Sequence, residues 1–175
     1  GSIAIQIAKH LGATVATTTS PRNAELVRAL GADVVVDYTS EAVDERIRDY
    51  DVVLDAFGGE QSATLLRCLK RGGRMAAITV DLPSATKKYG ALLGLARTAI
   101  RIASFTIGAR VKYGVRVSFV TRKPNGETLA AMGPLFESGV LRPVVDRVLP
   151  LVRIAEAHEL SQAGRSRGKI VIAVR

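Results

Sequence analysis

Apolar residues open the chain at helical spacing. Ile3, Ile5, Ile7, Ala8 and Leu11 fall on one face and part of a second, and Gly12 follows where a helix of this phase should stop. The pattern then alternates between strand and helix. Thr14–Ser20 predicts a strand. Pro21–Leu30 predicts a helix with Ser20 as N-cap and Pro21 at its first position, closed by Gly31. Asp33–Tyr38 contains Val-Val-Val and reads as a strand buried on both faces. Glu41–Asp49 predicts a short amphipathic helix, and Asp51–Phe57 a strand ending in Gly58-Gly59. Glu60–Lys70 predicts a helix and Arg74–Val80 a strand. Crossovers of this length belong to parallel strand pairs.

After Leu82-Pro83 the rhythm changes. Residues 84–108 are rich in Ala, Leu and Ile with scattered Arg, and predict a helix. Lys112–Thr121 predicts a strand that could stand at a sheet edge. Pro124-Asn125-Gly126 predicts a turn before a helix over Glu127–Ser138, which Gly139 ends. An extended stretch runs from Arg142-Pro143 to Pro150. A helix over Ile154–Gln162 and a strand over Lys169–Val174 complete the chain. No flexible linker interrupts this order, so the expectation is one α/β unit.

Composition narrows the class. At 175 residues, 47% of them hydrophobic and 23% charged, the chain has the makings of a folded core. No uninterrupted apolar run reaches 18 residues, so no membrane span is expected, and no signal peptide is recognisable. The single Cys68 allows neither an internal disulfide nor a cysteine cluster for zinc. It lies among Leu65, Leu66 and Leu69 and reads as a small buried hydrophobe in a reducing, intracellular setting. The net charge of +9 is uneven. Lys87, Lys88, Arg97, Arg101, Arg110, Lys112, Arg116, Arg122 and Lys123 fall in a stretch with no acidic residue. A solvated surface is favoured there over a nucleic-acid or membrane partner.

The first helix and its strand have the look of a dinucleotide-binding βαβ unit from its first glycine turn onward. Gly1, Ser2 and Ile3 would then offer N–H groups to a pyrophosphate at a helix N-terminus; the other reading of Gly-Ser is a tag remnant. No carboxylate ends the next strand. Ser20-Pro21-Arg22-Asn23 stands there instead, and the Arg22 fork suits a 2′-phosphate, which favours NADP(H) over NAD(H). Ser20 as a mere cap and Arg22 as a surface residue is the alternative.

The segments GSIAIQIAKHLGA, SPRNAELVRALGADVVVDY, DVVLDAFGG, LKRGGRMAAI, FESGVLRPVVDRVLPLVRIAEAHEL and GRSRGKIVIAV resemble, in this order, the medium-chain dehydrogenase/reductases. They are most similar to the quinone oxidoreductase (zeta-crystallin-like) branch. The long stretch from Val80 to Thr121 resembles the branch containing the mitochondrial reticulon-interacting oxidoreductase. The resemblance implies a Rossmann-type doubly wound parallel sheet lacking its first strand. It implies a nicotinamide-dinucleotide-binding domain over residues 1–175, returning at its C-terminus toward a GroES-like catalytic domain that would lie outside this chain.

It also places Tyr38, Phe57, Gly58, Ile78, Thr79, Phe119, Val120 and Lys169 near the cofactor. The apolar ones could equally be core, Tyr38 a strand-end aromatic, and Lys169 part of a tight turn. The implied reaction is zinc-independent hydride transfer from NADPH to quinones or α,β-unsaturated carbonyls. The rivals are a zinc-dependent alcohol dehydrogenase and a non-catalytic RNA- or membrane-binding protein of the same fold. No metal ligand is assigned: Cys68, His10 and His158 are far apart on predicted helices. The catalytic residues are not legible in this chain. A homodimer pairing through residues 112–121 is expected, and the location is cytoplasmic, with the mitochondrion left open.

Overall fold

A computed structural model describes residues 1–79, 87, 89–120, 124–164 and 166–174. In chain order the elements are α1 (Ser2–His10), β1 (Ala16–Thr19), α2 (Ala24–Ala29), β2 (Val34–Asp37), α3 (Val43–Arg46), β3 (Tyr50–Asp55), α4 (Glu60–Arg67) and β4 (Leu69–Ala77). There follow α5 (Ala91–Gly108), β5 (Arg116–Phe119), α6 (Gly126–Glu137), β6 (Val145–Pro150), α7 (Ile154–Gln162) and β7 (Lys169–Ala173). The fold is α/β, and each described strand pair is parallel. Two compact units form. One holds Gly1–Asp37 with Asn125–Arg175, the other Tyr38–Pro124.

In the first unit, β1 pairs with β2, so that Thr19 stands beside Asp37, and β6 pairs with β7. Ile5, Val15 and Ala32 are buried together, with Ala8, Val27, Leu30 and Val35 packed around them. This is the apolar face that the spacing of Ile5 and Ala8 predicts. Asp33 fastens the cluster: its carboxylate accepts from the Val15 N–H at 2.7 Å and from Lys9 Nζ at 2.9 Å. Gln6 is a finding of the structure alone. Its side chain exchanges hydrogen bonds with the Arg142 backbone, at 3.0 Å to the carbonyl and 2.7 Å from the N–H, joining the chain's two ends within this unit.

In the second unit, β4 lies between β3 and β5. Leu66, Leu69, Met75, Ala109 and Val115 form its core, and Phe105 and Val117 pack on it. β5 pairs only with β4 among the described strands, which places it at the edge of this sheet.

Several boundaries differ from expectation. β4 starts at Leu69, five residues before Arg74, because Tyr50 pairs with Leu69 and the register then shifts across Gly72-Gly73. Gly73 approaches the Lys70 and Asp51 carbonyls so closely that a Cβ would come within 2.8 and 3.1 Å of them. After Ser20 the chain makes a 3₁₀ turn over Pro21–Asn23 before α2 begins, and the Ser20 hydroxyl makes no capping bond; only its carbonyl accepts, from the Asn23 N–H at 3.0 Å. The predicted Val80 strand end and Thr121 lie outside the described residues.

Candidate functional site

Open parallel sheets bind ligands at the carboxyl ends of their strands, where the loops diverge and backbone N–H groups are free to turn toward a guest. In the second unit three strands deliver residues to that edge. β3 leads into Phe57-Gly58, β4 into Ile78-Thr79 and β5 into Val120. The edge is held in register beyond the strands: Ile78 N–H donates to the Asp55 carbonyl and Val120 N–H to the Ala77 carbonyl, each at 2.9 Å. Phe57, Gly58, Ile78, Thr79, Phe119 and Val120 are thereby brought to one rim. Phe57 is 77% exposed, and Ile78 and Val120 about half, at 49% and 53%. Phe119 is half-buried, its ring edge-on to Phe105 at 6.4 Å.

Asp55 builds this rim. It is fully buried. One carboxylate oxygen accepts from the N–H groups of Phe57 and Gly58, at 3.0 and 2.9 Å, and the other from the Ser62 hydroxyl at 2.5 Å. The carboxylate thus curls the chain over the end of β3 and clamps the first turn of α4 to it. The turn itself needs glycine. Gly58 has φ +74°, and a Cβ there would stand 3.0 Å from Thr79 Oγ1. Gly59, at φ +71°, starts α4. Sequence reasoning singled out Phe57 and Gly58 but missed Asp55 and Ser62. The signal available was an acidic residue closing an apolar strand before Gly-Gly, with a hydroxyl seven residues on.

In the first unit, Gly1 caps α1 with no side-chain hydrogen bond, and no acidic residue sits in the first turn. The first N–H groups of such a helix carry partial positive charge toward an anion. A loop from Leu11 to Val15 leads from α1 into β1, and Ser20, Arg22 and Asn23 follow the end of β1. Asn23 Oδ1 is buried and has no hydrogen-bond partner. A buried acceptor left unpaired costs free energy unless a donor reaches it, and a sugar hydroxyl is such a donor.

Tyr38 follows β2 directly and is exposed. Lys169 stands at the amino end of β7, its N–H donating to the Val144 carbonyl at 2.7 Å. A Cβ on Gly168 would fall 2.3 Å from that carbonyl oxygen, so glycine is needed where the chain passes close to the start of β6. A cleft of about 410 Å³ lies elsewhere in this unit, between Gln6, Lys9, Ala29, Gly139 and Arg142, and includes none of the expected cofactor residues.

Cys68 is buried, its thiol 3.6 Å from the Thr64 carbonyl, and burial pushes its pKa up. His10, Cys68 and His158 sit on or beside three different helices, and no three His, Cys, Asp or Glu side chains converge among the described residues.

Residues 30–172 match the family model described as zinc-binding dehydrogenase. The chain is 32% identical over 183 residues to a protein of Danio rerio named NAD(P)H oxidoreductase RTN4IP1, mitochondrial, covering 99% of this chain and 46% of that protein. It is 35% identical over 176 residues to the chloroplastic NADPH-dependent alkenal/one oxidoreductase of Arabidopsis thaliana, covering 98% and 37%. The solved quinone oxidoreductase of Coxiella burnetii superposes with a TM-score of 0.78 at 30% identity, covering all of this chain and 49% of that one. The chain thus spans about half the length, or less, of the relatives it matches.

Proposed function

We infer that this chain, which belongs to the zinc-binding dehydrogenase family, is the nicotinamide-dinucleotide-binding part of an NADPH-dependent, zinc-independent oxidoreductase. Its acceptors are quinones or α,β-unsaturated carbonyl compounds. The observation that carries the reading is the rim itself: three parallel strands end together in a glycine turn, a Thr and exposed apolar side chains, backed by a buried carboxylate.

The residues present suit a dinucleotide. The uncapped start of α1 (Gly1, Ser2, Ile3) receives the pyrophosphate. Arg22 pairs with the 2′-phosphate, the segment Ser20–Asn23 itself carrying no carboxylate, and Ser20 and Asn23 offer polar atoms to the adenosine ribose. Tyr38 flanks the adenosine phosphate. Gly58 lets the backbone approach the sugar. Ile78, Thr79, Phe119 and Val120 line the nicotinamide end, where apolar side chains exclude water. When bound, the cofactor supplies a hydride to an electron-poor carbon; this chain's part is to orient it.

The names of the relatives support this reading: an NADPH-dependent alkenal/one oxidoreductase and a quinone oxidoreductase are among them. The whole of residues 1–175 is taken as the cofactor domain, with the acceptor pocket completed by a catalytic domain. Of the strand expected over 112–121, Arg116–Phe119 forms, Lys112 and Tyr113 lying in the helical turn after α5, and the edge position of that strand supports a homodimer paired through it. An intracellular setting, in cytoplasm or organelle, accords with the free Cys68.

The test is NADPH consumption by the full-length protein with a quinone and with an enone, each with and without a chelator. Oxidation that survives chelation is expected. Activity that disappears with the metal, or no turnover of either acceptor class, would contradict the reading.

A further inference from the structure

Helix α5 is the least covered long element of the second unit. Together with the turn that follows, through Tyr113, it is long and apolar enough to cross a membrane, and only 11% of its most apolar window is buried. Charge interruptions hide this from a search for unbroken apolar runs. By the helical repeat, Leu93, Ala96, Ile100, Ala103 and Ile107 share one face. That face points outward: Ile100 is 65% exposed and Ile107 62%. Arg97 and Arg101 line its flank. At its start the exposed Tyr89 lies beneath Arg97 at 4.6 Å, while Tyr113, past its end, packs inward on the core with Lys112 5.2 Å from its ring.

The opposite face holds the helix to the protein. Gly94, Thr98 and Ala109 are buried, and Phe105 packs on Phe119. A helix pinned along its length and running on into β5 cannot thread a bilayer, but it can lie in the plane of one.

We propose that the outer face of α5 seats on an anionic lipid surface. Three features select that occupant. The face is apolar without interruption, which a nucleic acid would not reward. Cations flank it, and no acidic residue occurs between Asp81 and Glu127, so a second copy laid against it would set arginines beside arginines with no acid in this stretch to pair them. The exposed Tyr89 at one end matches the amphipathic level of a membrane interface. This goes beyond the reductase reading and does not depend on it.

The experiment is sedimentation of the full-length protein with vesicles of phosphatidylcholine, alone or mixed with phosphatidylglycerol. Binding to the mixed vesicles only is expected, weakening with salt. The double variant Ile100→Asp with Ile107→Asp should bind about tenfold or more weakly at an unchanged melting temperature. Arg97→Gln and Arg101→Gln should each cost about fivefold, the worth of one cation near an anionic surface. The proposal is overturned by absence of binding to anionic vesicles, or by binding that the aspartates do not touch. A double variant that halves the molecular mass in solution, or melts early, would also overturn it, by showing that another copy or the rest of the chain covers the face.

Discussion

Two regions of the second unit expose apolar side chains, and they are built on opposite plans. The rim at the carboxyl ends of β3, β4 and β5 shows Phe57, Ile78 and Val120 over a polar frame, with the buried Asp55 holding two N–H groups and a hydroxyl behind them. The outer face of α5 shows Leu93, Ile100 and Ile107 with arginines at the side, and the hydroxyl of the buried Thr98 behind it is spent on the helix's own Gly94 carbonyl. A frame that fixes backbone direction serves a ligand with directional bonds. A plain apolar face with flanking charge serves a surface, where area and sign matter and direction does not. Exposed hydrophobicity alone does not separate the two; what lies beneath it does.

The comparison breaks most sharply at Asp55. Asp55→Ala leaves the Phe57 and Gly58 N–H groups and the Ser62 hydroxyl without their acceptor, which should cost about 3 kcal/mol. Urea unfolding of the full-length protein measures it; a shift of the midpoint within error would mean that the frame is dispensable. Next is Gly58→Ala, which forces a Cβ into a left-handed backbone and toward Thr79 Oγ1. A loss of about 1–2 kcal/mol is expected, with NADPH affinity falling alongside. Affinity that holds while stability drops would separate the turn from the cofactor.

The smallest effect contrasts the buried carboxylate of Asp55 with a half-buried one on α3, each bonded to a residue of α4. Asp44 accepts from Arg67 Nε at 2.5 Å, and that bond holds its pKa below the ordinary carboxylate value. A lowered pKa contributes stability above the unfolded value, near 4 for Asp, and the contribution disappears as pH falls through the folded value. Asp44→Asn should therefore lower stability slightly at neutral pH and flatten its acid limb. Ionic strength should erode the difference, since the pair is exposed. A pH profile identical to that of the parent would contradict the assignment.

Much of this was legible in the residues. The helix over Ile154–Gln162 forms with the bounds its pattern predicts, and Gly12, Gly31 and Gly139 take the positive φ that ends a helix. Asn125 caps α6 as a turn asparagine should, accepting from the Glu127 and Thr128 N–H groups. These features are local, written within one turn of the residue that decides them. What escaped depends on partners distant in sequence. Gly72-Gly73 reads as a turn, yet pairing with β3 carries the strand across it. Asp55 reads as an ordinary strand-end acid until the fold buries it against Ser62. Gln6 reads as a polar residue on a helix until Arg142 arrives from 136 positions away.

How the residues proposed for the site are grouped was legible in the same uneven way. Phe57, Gly58, Ile78, Thr79, Phe119 and Val120 do gather at one rim, because parallel register places equivalent strand ends side by side. Lys169 stands at the amino end of β7, where a Cβ on Gly168 would collide with the Val144 backbone.

The central claim is that this chain binds a phosphorylated nicotinamide dinucleotide, and it stands or falls on one titration. The full-length protein and its Arg22→Ala variant are titrated with NADPH and with NADH, following nicotinamide fluorescence. The parent should prefer NADPH. The variant should lose about 2 kcal/mol, roughly thirtyfold, toward NADPH while its NADH affinity stays put, as loss of a charge-assisted contact requires. Equal losses for both cofactors, or no binding of either by the parent, would contradict the account.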